Sequence, residues 1–254
     1  MSKEGIIHHE KSAHISQIGG AKVISASGGD FQPSPHENIA QQKKLANPAP
    51  LGLGAFALTT FVLSLINLNT RKISEPNLVV ALAYGYGGLV QLLAGMWEMA
   101  IGNTFGATAL SSYGGFWLSF AVVLTPSTGI VAAYTGEEGI NNFNDVFALY
   151  LWGWFIFTTL CMLLTLRSTV AFASLFIVLD LAFLCLALGE QNVVSSPSTA
   201  GAFAKAGGSF GLMAAFLAWY NMFAGMADST NFWFNIPVSH LPWSEKKKLE
   251  RSQV

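Results

Sequence analysis

Apolar residues run through the chain in six blocks that begin only after residue 46 and are separated by short polar joints. The blocks cover about residues 50–68, 78–101, 107–125, 144–166, 169–189 and 206–227. Each meets the requirement of about 20 predominantly apolar residues for one helical crossing of a bilayer. Between them lie "NTRKISEPN", "GNTFG", "TPSTGIVAAYTGEEGINN", "RST" and "EQNVVSSPSTAGAFAK", which leave no room for a soluble domain. The pattern predicts an all-α integral membrane bundle of six transmembrane helices over 47–230, with tails at 1–46 and 231–254.

Composition agrees with that pattern. Of 254 residues, 52% are hydrophobic and 11% charged, against roughly 25% charged in an average soluble domain. Thirteen basic residues against fourteen acidic ones leave a net charge of −1, so no overall field points to nucleic acid or an acidic partner. The polar stretch 1–46, with "SASGGDFQPSPHEN", reads as disordered, and it carries no apolar run of the kind a cleaved leader needs. The first span is therefore expected to direct insertion. An even number of spans puts both termini on one side, which collects Lys43, Lys44, Arg167, Lys246, Lys247, Lys248 and Arg251. The other side collects Arg71, Lys72 and Lys205; seven against three predicts cytoplasmic termini. Cys161 and Cys185 sit inside apolar runs and read as packing residues.

Polar side chains inside a membrane tend to face other helices or a hydrated path, so their spacing maps the interior. On the first span Phe56, Thr59, Thr60, Leu63, Ser64 and Asn67 recur at helical steps. On the second, Tyr84, Gly88, Gln91, Gly95 and Glu98 fall on one predicted face. Two readings fit such stripes: close helix packing through small residues, or the wall of a solute path. The mid-span amide of Gln91, a donor and an acceptor together, favours the path. The third span brings Ser111, Ser112 and Tyr113 next to Gly114 and Gly115, which suits either a hydrated constriction or tight packing. Asp180 stands alone near the middle of the fifth, as a proton-linked group or as the partner of a hydrogen bond to a neighbouring helix. Glu98, close to a span end, reads as an interfacial carboxylate.

Enzyme chemistry finds little support. All five histidines lie in the tails, the phosphate-cradling GxxxxGK[ST] pattern does not occur, and Gly85, Gly87 and Gly88 are mid-span. No metal and no cofactor are expected. What remains is transport without ATP hydrolysis of its own, or passive conduction.

Three segments carry a resemblance: "NPAPLGL" at 47–53, "YGGLVQLLAG" at 86–95 and "GNTFGATALSSYGGFWLS" at 102–119. They resemble the signature segments of the acetate uptake transporter family, the group of succinate–acetate permeases, fungal acetate permeases, ammonia-export proteins and glyoxylate pathway regulators. "AWYNMFAGMAD" and the long polar N-terminal stretch are similar to the fungal branch. The resemblance implies a six-helix protomer in a homo-hexamer, each protomer with its own pore. It also implies transport of acetate and other short carboxylates in the plasma membrane, by proton symport or as a channel. It implies a hydrophobic constriction whose residues fall here on Phe56, Tyr113 and Leu179, with Asp180 departing from the bacterial pattern. Asn47, Thr59, Thr60, Gln91, Ser111 and Ser112 are then the expected donors along the path. Ammonium export and a non-transporting acetate sensor are the alternatives.

The first span also opens on its helix breakers, in "NPAPLGLG". Pro48 and Pro50 are expected to hold the approach extended and fix where the helix starts. Asn47 is expected to cap that start, or to offer its amide to a carboxylate.

Overall fold

The structure is a computed structural model that describes residues 45–73, 75–134, 139–228, 230–234 and 236–244, the side chains of 139–141 excepted. All of these belong to one unit, Leu45–Val254. The disorder expected for 1–46 falls, but for its last two residues, outside the described residues. So do Lys43, Lys44, Lys246, Lys247, Lys248 and Arg251 from the charge count.

Among the described residues, six helices are long and apolar enough to cross a membrane. They are α1 (Ala49–Asn67), a continuous second helix made of α2 (Asn77–Tyr84), a π-helical segment (Gly85–Val90) and α3 (Gln91–Ala100), then α4 (Thr104–Leu124), α5 (Gly139–Thr165), α6 (Val170–Gln191) and α7 (Pro197–Met226). No strand occurs among the described residues.

Local chemistry sets the helix starts. Asn47 Oδ1 accepts from the Ala49 N–H at 3.1 Å, and Pro50 sits in the first turn, where its missing N–H costs nothing. Pro48 differs from the expectation. It lies in the right-handed helical region (φ −82°, ψ −16°) rather than extended, and its carbonyl already accepts from Leu51 and Gly52. Asn103 caps α4 by accepting from the Gly106 N–H at 3.0 Å, and Thr169 caps α6 by accepting from Phe172 at 3.2 Å. Helix α7 begins nine residues before the expected onset, at Pro197, because proline suits the first helical turn and residues 198–205, with three alanines, contain no further proline. Its 30 residues make a rod of ~45 Å, longer than a hydrocarbon core of ~30 Å.

The second span contains the main departure from a regular helix. Its π segment packs Gly87 and Gly88 where no side chain fits: a Cβ on Gly87 would lie 2.6 Å from Thr59 Oγ1, and one on Gly88 would lie 2.2 Å from the Ala83 carbonyl. The wider turn inserts one residue and advances the helix by ~100°. The predicted stripe is therefore broken: Tyr84 is 38% exposed and bonds Thr125, whereas Gln91 is 1% and Glu98 0% exposed.

The spans are not equivalent. Half of the apolar stretch of α1 and of α4 is buried, and 44% of α6, against 39%, 22% and 33% for the second, fourth and sixth spans. Helices α1, α4 and α6 thus form the inside, and the others wrap them: α6 packs between α5 and α7, α7 packs on α1, and α3 packs on α4. Aromatic rings fill the centre, with Tyr113 contacting Phe56, Trp154, Phe157, Phe176 and Phe183.

The expected C-terminal tail is partly folded. Residues 236–244 return to the α5–α6 turn, where Val170 N–H donates to Ser239 O (2.9 Å) and Leu241 N–H to Ser168 O (3.2 Å). Thr169 and His240 form an antiparallel bridge. Trp243 Nε1–H donates to Leu166 O, and Tyr220 OH to Pro237 O.

Candidate functional site

Two cavities lie inside the bundle, and three side chains line both of them: Phe56, Tyr113 and Leu179. One helical turn before each of these, Leu53, Leu110 and Phe176 line the first cavity, of about 240 Å³. One turn after, Thr60, Trp117 and Phe183 line the second, of about 40 Å³. The helical repeat therefore stacks three inward faces into two chambers that meet at one level. Both volumes exceed the ~10–15 Å³ that one water requires. At the shared level the Phe56 and Tyr113 rings are 6.2 Å apart. Tyr113 OH and Thr158 Oγ1 share a hydrogen bond of 2.9 Å, which ties the ring to α5.

Three side chains in these walls carry buried polar atoms without a hydrogen-bond partner: Gln91, Thr60 and Trp117. In the first chamber Gln91 is 1% exposed, and neither its oxygen nor its nitrogen has a hydrogen-bond partner. A buried amide with both ends open is costly, and a water or a solute in the chamber is what can satisfy it. Asn103 is fully engaged. Its oxygen caps α4, and its nitrogen donates to Glu98 Oε2 at 2.6 Å. In the second chamber Thr60 Oγ1 and Trp117 Nε1 are buried without partners. The remaining walls are mostly carbon, and among the described residues no Lys or Arg lines either chamber.

The other expected site residues lie elsewhere. Asn47 is exposed and acts as a cap. Thr59 faces Gly87 and donates to the Ala55 carbonyl at 2.9 Å. Ser111 packs against Gly95, its hydroxyl buried and unpartnered. Ser112 lines an open hollow between α4 and α5, with Tyr150 and Trp154. Asp180 lines neither chamber; its Oδ1 accepts from Thr159 Oγ1 at 2.8 Å, clasping α6 to α5. Glu98 is fully buried within the protein, two residues before the end of the second span. Trp117, four residues beyond Tyr113, was open to discovery from spacing alone. Asn103 was open to it as the cap residue ahead of Gly106.

Residues 27–243 match the sequence profile of the GPR1/FUN34/yaaH family. The chain belongs to that family. A GPR1/FUN34/yaaH relative, acetate permease A of Emericella nidulans, is 58% identical over 241 residues, spanning 91% of this chain and 80% of that protein. Ammonia transport outward protein 2 of Saccharomyces cerevisiae is 43% identical over 228 residues, 88% of this chain and 76% of that one. Among solved structures, the bacterial acetate channel SatP superposes with a TM-score of 0.65 at 31% identity, covering 76% of this chain and all of that one. The chain is thus a multi-pass membrane protein of the GPR1/FUN34/yaaH family.

Proposed function

We propose that the chain is an acetate permease whose solute passes from the larger chamber to the smaller through the Phe56–Tyr113–Leu179 level. The observation that carries this reading is the pair of chambers meeting at those three side chains, with unpaired polar groups on either side. The open amide of Gln91 takes the carboxylate in the first chamber, and the Thr60 hydroxyl and Trp117 N–H receive it in the second. The three apolar and aromatic groups between them admit a small solute only as it sheds part of its hydration shell. No cation among the described residues lines the route, so binding is weak and the solute can leave. The relatives described as an acetate permease and an acetate channel support the same substrate.

Export of ammonium is the second reading, supported by the relative named for ammonia and by aromatic walls that attract cations. The chamber walls favour the carboxylate: neither Asp180 nor Glu98 lines them, so no ionised acid receives a cation. We place the protein in the plasma membrane with both termini cytoplasmic, as a hexamer with one pore per protomer, on the charge count and the family resemblance. Flux of labelled acetate and of ammonium into the same proteoliposomes tests the function. Saturable acetate entry is expected, and ammonium flux without acetate flux would overturn it.

A further inference from the structure

Glu98 is a carboxylate inside the second span with no exposed surface. One oxygen, Oε2, accepts from Asn103 Nδ2 at 2.6 Å, and the other, Oε1, is buried without a partner. The elements packed against α3 bring it no counter-charge. Helix α1 has no titratable side chain between Ala49 and Asn67, α4 has only Tyr113, and the π segment has only Tyr86. Tyr113 is engaged with Thr158. An ionised Glu98 would hold a full negative charge in the bundle with a single amide for a partner, which is an expensive arrangement in a membrane.

The geometry ties that charge to the larger chamber. Asn103 lines the chamber, and its amide nitrogen is the group that holds Glu98. A carboxylate solute in the chamber and an ionised Glu98 would flank the same amide with two negative charges. Like charges this close oppose each other, and a proton on one of them relieves the repulsion.

We propose that Glu98 is a proton-binding site linked to anion binding in the larger chamber. The proton adds to Oε1, the oxygen without a partner, and Oε2 stays with Asn103. Each anion that binds to protein with Glu98 ionised therefore takes up one proton from the water, and the charge of the site is unchanged, carried by the anion in place of Glu98. The inference rests on the reading of that chamber as an acetate site, and it supplies what that reading lacks, a route by which a pH gradient drives accumulation.

Neutral acetic acid binding directly would give the same pH dependence, so the test must separate the two. Acetate affinity is measured by saturation-transfer NMR on the full-length protein in nanodiscs, across the weakly acidic to neutral range. The wild-type affinity for the anion is expected to fall about tenfold per pH unit once Glu98 is ionised in the empty protein. Glu98→Gln keeps an acceptor for Asn103 but binds no proton, and its affinity is expected to be flat with pH. An unchanged slope in Glu98→Gln overturns the inference and leaves acetate binding standing. No acetate binding at any pH by well-folded wild-type protein overturns the acetate reading, and this inference with it. A measurement on the wild type alone covers a variant that does not fold. Infrared difference spectra on protein with isotopically labelled glutamate carboxyls are expected to show a protonated glutamate band growing as acetate binds, and absence of that band overturns the inference.

Discussion

Replacing Gln91 with methionine separates a residue kept for transport from one kept for stability. Methionine matches glutamine in length and removes both the carbonyl and the NH₂. In the wild type those two groups are buried with no partner in the protein. Each unsatisfied buried polar group costs about 1–3 kcal/mol, and water in a chamber of about 240 Å³ relieves part of that. Gln91→Met is therefore expected to raise stability by about 1–3 kcal/mol. The same change removes a hydrogen bond to a charged solute, worth about 1.5–3 kcal/mol. At about 1.4 kcal/mol per tenfold, initial acetate uptake at low concentration should fall by about ten- to hundredfold. The assays are denaturant unfolding of the purified protein and labelled acetate uptake into vesicles with matched protein content. A variant that loses stability by more than about 1 kcal/mol would refute the reasoning, since Gln91 would then hold the bundle together.

Other substitutions probe the level between the chambers and its supports. Tyr113→Ala removes a ring buried to 3% exposure; it should cost about 3–5 kcal/mol and let longer carboxylates compete with acetate for uptake. Gly95→Ala places a Cβ 2.3 Å from Ser111 Oγ and 2.5 Å from its backbone nitrogen. Separation of α3 from α4 should then cost at least about 1–3 kcal/mol, visible as a lower yield of monodisperse protein. Asp180→Asn keeps an acceptor for Thr159, so the pH dependence of acetate uptake should stay as in the wild type. A loss of that dependence would move the proton site from α3 to α6.

The helices were legible because each rests on a long apolar run, whereas Phe56, Tyr113 and Leu179 were reached through the family resemblance and the two chambers they share came only with the structure. What the sequence hid falls into two kinds. Adjacent polar residues look alike in a row of letters but differ by ~100° in direction. Thr60 therefore reaches a chamber while Thr59 meets Gly87. The π segment adds a second such ambiguity, since three glycines serve an ordinary helix as well as a widened one, and only the latter buries Gln91 and Glu98 without Tyr84. The other kind is contact across a chain reversal. Glu98 has no evident partner in its own span, and the short turn before α4 swings Asn103 over it. "IPVSHLPW" has no period at all, because its pairing with the α5–α6 turn uses backbone groups that any residue could supply.

That returning segment bears on biogenesis. The turn at Thr169 is paired with His240, made about 70 residues later on the ribosome. Helices α6 and α7 must both be synthesised before Ser168, Thr169 and Val170 receive their partners. The corner from which α6 departs toward Leu179 is thus left open until residues 239–241 have been made, and a chain clipped ahead of His240 would keep it open for good.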